Sequence, residues 1–534
     1  MSILSVENVS HDFGGRTILE NASFRLLNGE HIGLVGANGE GKSTFLNIIT
    51  GKIAPDSGKI EWCKRISTGY LDQHTALHPG KTIYETLQDA FKYYYDLEAE
   101  MLSMYEQMAD CDDETMNQLM EEVGEIQEIL DHGGFYTIDV KIKEVAGGLG
   151  LNDIGLDKPV DALSGGQRSK VLLTKLLLEN PMILILDEPT NYLDEQHINW
   201  LINFLKNYDN AFILVSHDVS FLNQVINIIY HLEDGVLTRY KGDYDYYLQQ
   251  VELKKRQLAA DYQKQQKEIA DLEDFIARNK ARVATRNMAS SRQKKLDKMN
   301  LISKPKEKIK PTFSFIEART PGKVLFDCKD LVIGYDSPLT KEMNLVFERN
   351  KKVAIKGVNG LGKTTLLKTL IGMQKPYSGT VEKDPFVEIG FFKQEESAVS
   401  QTALDYLWEE FPDRNNGEIR AMLAKCGLTT DHIESLMKVL SGGENAKVRL
   451  CKIMNREANV LVLDEPTNHL DVDAKDSLQS AIKAFKGAVI LVSHEPEFYL
   501  PIVDEVINLE ECSTKIIYKC SLFRTFFVLN IFTF

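Results

Sequence analysis

Residues 36–43 read GANGEGKS, and residues 357–364 read GVNGLGKT. Glycine at the first, fourth and sixth places lets a backbone turn tightly enough for its N–H groups to converge on phosphate oxygens. The lysine and hydroxyl that follow then supply a cation and a metal-binding oxygen. Gly36, Asn38, Gly39, Gly41, Lys42, Ser43 and Thr44 are therefore candidate ligand-binding residues of one loop; Gly357, Asn359, Gly360, Gly362, Lys363, Thr364 and Thr365 are those of a second. FLNIIT, following the first loop, supplies a helix whose N-terminus favours anions.

Other pieces recur in the same order. LSGGQ (163–167) returns as LSGGE (440–444), ILILDEPTNYLD (183–194) as VLVLDEPTNHLD (460–471), and LVSHD (214–218) as LVSHE (491–495). Lys42 to Gln73 spans 31 residues, as does Lys363 to Gln394; Ser164 to Glu188 and Ser441 to Glu465 each span 24; Glu188 to His217 and Glu465 to His494 each span 29. One interval differs: 91 residues separate Gln73 from Ser164 but 47 separate Gln394 from Ser441, so the first copy carries a 44-residue insertion. The chain is a tandem duplication. Apolar runs such as MILIL and AFILVS suit buried parallel strands, and the order strand, glycine loop, helix implies α/β architecture.

The acidic residue pairs end such runs. Asp187 and Asp464 suit Mg²⁺, and Glu188 and Glu465 stand where a carboxylate aligns or activates water. His217 and His494, at equal distances from these pairs, are candidate γ-phosphate contacts rather than structural hydrogen-bonders. Gln73 and Gln394 are candidate links between metal or water and the helical region. Ser164, Gly165 and Gly166, like Ser441, Gly442 and Gly443, open helices and expose N–H groups, as an anion site or as a plain helix cap.

At 534 residues the chain holds several domains, and its net charge of -16 is unevenly placed. Residues 277–299 carry eight Lys or Arg and one Asp, leaving about -23 on the remainder. Seven scattered cysteines without metal-ligand spacing fit a reducing compartment. The first residues alternate like a strand and lack a signal peptide's pattern. The aromatic tail from Cys520 is short for a membrane span and interrupted by Arg524. A membrane anchor, an edge strand and an atypical C-terminus are its three readings.

These residues resemble the ATP-binding cassette family over Ile3–Leu248 and Val324–Leu509. Two cassettes on one chain, EPTN in both and a charged linker resemble its F branch, whose members act on the ribosome. The resemblance implies a monomer with an intramolecular head-to-tail sandwich. Lys42, Asp187, Glu188 and His217 would share one ATP with Ser441 and Gly443. Lys363, Asp464, Glu465 and His494 would share the other with Ser164–Gly166. The implied metal ligands are Ser43, Gln73 and Asp187, and Thr364, Gln394 and Asp464. Phe13 and Tyr335 stand where the family stacks an aromatic on adenine, with core packing the alternative. Glu444 in place of Gln, Tyr192 where the second half has His469, and the aromatic tail depart from the pattern.

The expected domains are a first cassette at 1–247 with a helical arm at about 91–131, a helical hairpin linker at 248–322, a second cassette at 323–511 and a tail at 512–534. Leu258, Tyr262, Ile269, Leu272, Ile276 and Val283 recur at coiled-coil spacing. TRNMASSRQKK reads as the turn and LDKMNLISK as the returning helix. Arg278, Lys280, Arg282, Arg286, Arg292, Lys294 and Lys295 are candidate RNA contacts; the alternative is a solvated charge run. In the family this linker reaches peptidyl tRNA. A short turn resembles housekeeping translation factors more than antibiotic-resistance factors. The arm has no Lys or Arg from Asp96 to Asp131, which favours a basic protein surface or a bracing role; the resemblance implies a ribosomal protein. The resemblance thus implies a cytoplasmic Mg²⁺-dependent ATPase with rRNA, tRNA and the 70S ribosome as partners. An ATPase subunit of a membrane transporter, a DNA-binding member of the same fold and a resistance factor are the rival readings.

Overall fold

The computed structural model describes residues 2–13, 16–64, 66–71, 77, 79–108, 112–191, 193–279, 286–299, 310–393 and 400–512. It divides into two compact units, Met1–Ile309 and Lys310–Phe534.

In the first unit the run ILILD forms the strand Ile183–Asp187 inside a six-stranded sheet. The strand order is Thr68–Leu71, Ile183–Asp187, Ala211–Val215, His31–Val35, Ile228–Glu233, Val236–Lys241, parallel except for the last pair. Because side chains alternate across a strand, Leu184, Leu186, Phe212 and Leu214 enter one core, while Ile183, Ile185, Ala211 and Ile213 enter another on the opposite face. Burial on both faces explains the unbroken apolar runs. Each buried Leu or Ile contributes about 1.5–3 kcal/mol. The strands Arg16–Leu27, Ser2–Phe13 and Ser57–Trp62 pair antiparallel alongside.

The second unit repeats the plan. Its parallel sheet runs Ile389–Phe392, Val460–Asp464, Ala488–Val492, Lys352–Lys356, Glu505–Asn508, and its antiparallel sheet joins Met343–Glu348, Val324–Val332 and Ser378–Lys383. Leu461, Leu463, Val489 and Leu491 again point opposite to Val460, Val462, Ala488 and Ile490.

The first unit's extra residues form two helices, Lys92–Met108 and Asp113–His132, closed on a small core of Met101, Val123, Ile126 and Leu130. A long helix, Tyr244–Asn279, runs through the predicted cassette–linker boundary at 247 and packs against a second, Arg286–Asp297. The hairpin differs from the sequence expectation in its turn. RNMASSRQKKLD, expected largely within the turn, is helical, and Arg292, Lys294 and Lys295 ride on that helix. With 12 residues that helix covers only the end of the seam: Leu272 and Ile276 are buried, whereas Leu258 is 45% exposed.

The far boundary also shifts. Phe313 is buried in the second unit's core with Phe315 packed against it, and Ile316–Glu317 pairs parallel with Glu457–Ala458. Residues 310–322, expected in the linker, belong to the second unit. Lys280, Arg282, Val283, Tyr192 and the tail from 513 lie outside the described residues. Among the described residues no helix is long and apolar enough to cross a membrane.

Leu130 is fully buried among few neighbours, so Leu130→Ala should cost about 2–5 kcal/mol of local stability. Hydrogen exchange should quicken across residues 92–132 and stay unchanged in the helix Lys42–Ile49; equal quickening in both would contradict an independently closed arm.

Candidate active site

Both glycine loops lie at the carboxyl ends of central parallel strands, where open α/β sheets bind ligands. Gly41 and Gly362 take nearly identical left-handed conformations, φ 98°, ψ 19° and φ 95°, ψ 22°, immediately before the helices Lys42–Ile49 and Lys363–Leu370. A Cβ on Gly41 would stand 2.4 Å from Ile18 Cγ2, so this turn excludes any larger residue on two counts.

Lys42 Nζ donates to the carbonyls of Gly36 (2.8 Å) and Ala37 (3.0 Å). Lys363 Nζ donates to Gly357 O (2.7 Å) and Asn359 Oδ1 (3.1 Å) and lies 2.8 Å from His494 Nε2. Each ammonium is folded into its own loop, where an anionic ligand can compete for it. Ser43 Oγ donates to Asp187 Oδ2 at 3.0 Å, and Thr364 Oγ1 to Asp464 Oδ2 at 2.8 Å. The hydroxyl–aspartate pairing read from sequence is therefore formed in both units. Asp464 Oδ1 is buried and, among the described residues, has no hydrogen-bond partner. A hydroxyl and a carboxylate, completed by phosphate oxygens and water, is the donor set that suits Mg²⁺.

Glu188 and Glu465 occupy left-handed backbone at φ 51° and 50°. Their N–H groups donate to Val215 O (2.9 Å) and Val492 O (3.0 Å), across to the neighbouring strand that leads to the histidine. His217 Nε2 is 2.9 Å from Asn38 Oδ1 and 3.6 Å from Glu188 Oε1. His494 Nε2 is 2.9 Å from Asn359 Oδ1 and 3.1 Å from Glu465 Oε1. Loop asparagine, histidine and glutamate thus converge twice. Burial pushes the Glu465 carboxyl up to about 7, against the opposing Lys363 ammonium and with Asp464 and Glu495 adding to the rise. Burial likewise raises Asp464, offset by its Thr364 hydrogen bond and by Lys363 and Lys368.

Phe13 and Tyr335 are 70% and 62% exposed, which removes the core-packing alternative. Ser164 caps the helix Gly165–Glu179 in a reciprocal box with Gln167; Ser441 caps Gly442–Met454 in the same box with Glu444. Gln and Glu serve equally in that role, which accounts for the departure at Glu444. Gln73 and Gln394 lie outside the described residues, just beyond the strands Thr68–Leu71 and Ile389–Phe392.

Sequence reasoning missed the ion pair of Lys475 with Glu495 (2.9 Å) beside Glu465, because nothing in the spacing links them. It also missed what the hairpin cations do. Arg278 pairs with Asp274 (2.9 Å), Lys295 with Glu268 (2.7 Å), and the Arg292 guanidinium lies 3.5 Å over the Phe275 ring. Arg286 opens the second helix. These exposed pairs are individually weak, so a phosphate can replace the carboxylate partners.

Two phosphate loops, each with a hydroxyl–aspartate couple and a glutamate–histidine couple on parallel strands, define a tandem P-loop nucleotide hydrolase. Residues 19–191 and 340–468 match the family described as ABC transporter, and residues 230–315 match a second family of that description. The "Uncharacterized ABC transporter ATP-binding protein YfmM" of Bacillus subtilis is 59% identical, covering 97% of this chain and 100% of its own length. "ABC transporter F family member 2" of Arabidopsis thaliana is 36% identical, covering 95% of this chain and 75% of its own length. A solved complex of the archaeal ribosome recycling factor aABCE1 with the ribosomal stalk protein aP1 shares the fold. Its TM-score is 0.57 at 20% identity, covering 94% of this chain and 87% of that one. The chain belongs to the ATP-binding cassette family, in its F branch. It is a double-cassette ATPase that binds ATP.

A carboxyl group accepts a proton only when ionised. In a Glu188→Gln variant, whose remaining carboxylate is Glu465, single-turnover ATP hydrolysis should therefore fall as pH drops below about 7. A rate flat across that range would mean that Glu465 does not titrate in the step.

Proposed function

We propose that this ATPase acts on the ribosome, with the hairpin as its RNA-facing element. The observation that carries the reading is the placement of a basic helical hairpin between two cassettes that each retain lysine, aspartate, glutamate and histidine. A transporter ATPase subunit has no need of such a hairpin. The ribosome recycling function of a protein with the same double-cassette fold supports the choice of partner.

In this reading each ATP lies between the loop of one cassette and the Ser-Gly-Gly turn of the other, in an intramolecular sandwich within a monomer. Ser43 with Asp187, and Thr364 with Asp464, would hold Mg²⁺, which would supply positive charge against the phosphates. Glu188 and Glu465 receive the proton of the attacking water, and His217 and His494 hold a γ-phosphate oxygen. Gln73 and Gln394 complete the metal or water contacts, and Phe13 and Tyr335 stack on the adenines. Closing the sandwich sets Arg278, Lys280, Arg282, Arg286, Arg292, Lys294 and Lys295 against tRNA and rRNA in the exit-site region of the 70S ribosome; hydrolysis releases it. The acidic arm suits a basic ribosomal protein, and the place of action is the cytoplasm.

Removing a general base costs roughly 10²- to 10⁴-fold in the chemical step. The Glu188→Gln, Glu465→Gln double variant should therefore co-sediment with 70S ribosomes when ATP is present. Neutralising Arg278, Arg282, Arg286 and Arg292 in that background should abolish the association. Ribosome binding that ignores ATP, or none at all, would overturn the reading; recovery with membranes or on duplex DNA would redirect it.

A further inference from the structure

The two Ser-Gly-Gly turns are not chemically equal. The offset of 277 residues that relates Ser164 to Ser441 also relates Gln167 to Glu444 and Gly155 to His432. The alignment is structural as well: Val160 and Met437, related by the same offset, are both buried. One half pairs a neutral amide with glycine, and the other pairs a carboxylate with histidine.

Glu444 is buried, with Oε2 accepting from Ser441 N–H at 2.9 Å. Its Oε1 lies 3.1 Å from His432 Nε2. His432 stands in the short helix Thr430–Glu434, where its Nδ1 accepts from Thr429 N–H at 3.4 Å. An imidazole whose Nδ1 accepts carries its proton on Nε2, so Nε2–H donates to Glu444. Among the charged neighbours, Arg420 pairs with Glu434 and Lys447 with Asp471, each at 2.8 Å. In the first unit Gln167 forms the cap without charge, and Gly155 has no side chain to present.

A carboxylate at a helix N-terminus stabilises the helix, but it also occupies the positive end that an anionic ligand needs. We propose that His432 is a positioning residue for the ATP site completed by the second unit's turn. By donating to Glu444 it holds the carboxylate in the cap and draws its charge toward Thr430–Glu434, leaving the N–H groups of Gly442 and Gly443 for phosphate. The two ATP sites are then unequal by construction. This rests on the crossed pairing proposed above, in which the Ser441–Gly443 turn serves the ATP on Lys42.

Single-turnover hydrolysis by full-length protein separates the sites. In a Glu465→Gln background only Glu188 is competent. There His432→Gln should raise the ATP concentration for half-maximal rate roughly three- to tenfold, with little change in the maximal rate. Adding Glu444→Gln should restore the parent value, since no carboxylate is left to position. Glu444→Gln alone, which keeps the cap in the form Gln167 uses, should hold the parent value or lower it. In a Glu188→Gln background His432→Gln should have no effect. An unchanged value in both backgrounds, or a defect that Glu444→Gln does not rescue, would make His432 merely structural and overturn the inference. A rescued defect confined to the Glu188→Gln background would keep the His432–Glu444 coupling and overturn the crossed pairing instead.

Discussion

Main-chain pairing of Ile183–Asp187 with Ala211–Val215, and of that strand with His31–Val35, sets every distance in the first unit's site. The ladder places Asp187 opposite Val215, and the chain then turns through left-handed backbone so that Glu188 N–H reaches Val215 O. His217 follows two residues beyond the end of the paired strand. The second unit repeats this with Asp464 opposite Val492 and Glu465 N–H on Val492 O. A non-glycine residue in left-handed backbone is uncommon and costs conformational energy. It recurs at both glutamates because the ladder holds it and because it brings the carboxylate to the histidine.

On this common frame the two units distribute charge differently. Lys42 is folded onto loop carbonyls, and Lys363 onto a loop carbonyl, Asn359 and His494, with His494 in turn against Glu465. Glu495 and Lys475 add a further ion pair beside that glutamate. Glu444 accepts a hydrogen bond from the neutral His432 imidazole near the second unit's helix cap. Low dielectric magnifies each difference. Repeated motifs therefore do not imply equal sites, and the asymmetry resides in residues flanking the motifs.

The loops, the hydroxyl–aspartate couples and the glutamate–histidine couples were legible because their chemistry demands particular residue types at set spacings. The hairpin was legible as a hairpin but not in its turn. RNMASSRQKKLD mixes good helix formers with Asn, Ser and Asp, which also suit turns. It becomes helix where Phe275, Leu272 and Ile276 offer a surface and Arg292 and Lys295 find partners. The linker was expected to run to residue 322, yet Phe313 and Phe315 were already committed to the second core. A burial partner about 170 residues later in the chain, such as Phe485, leaves no local signature.

The sequence by itself determined the duplication, the α/β class, the two glycine loops with their following lysines and hydroxyls, and the segregation of basic charge. These depend on local patterns: glycine where the backbone must turn left-handed, apolar runs where both sheet faces are covered, and acids at strand ends. Tertiary structure alone decided that residues 286–297 are helix, which cations are spent on internal pairs, and how far Glu465 is desolvated. It also brought His432 to Glu444, because distance across a packed core, unlike spacing along the chain, is set by how helices and sheets bury their apolar faces together.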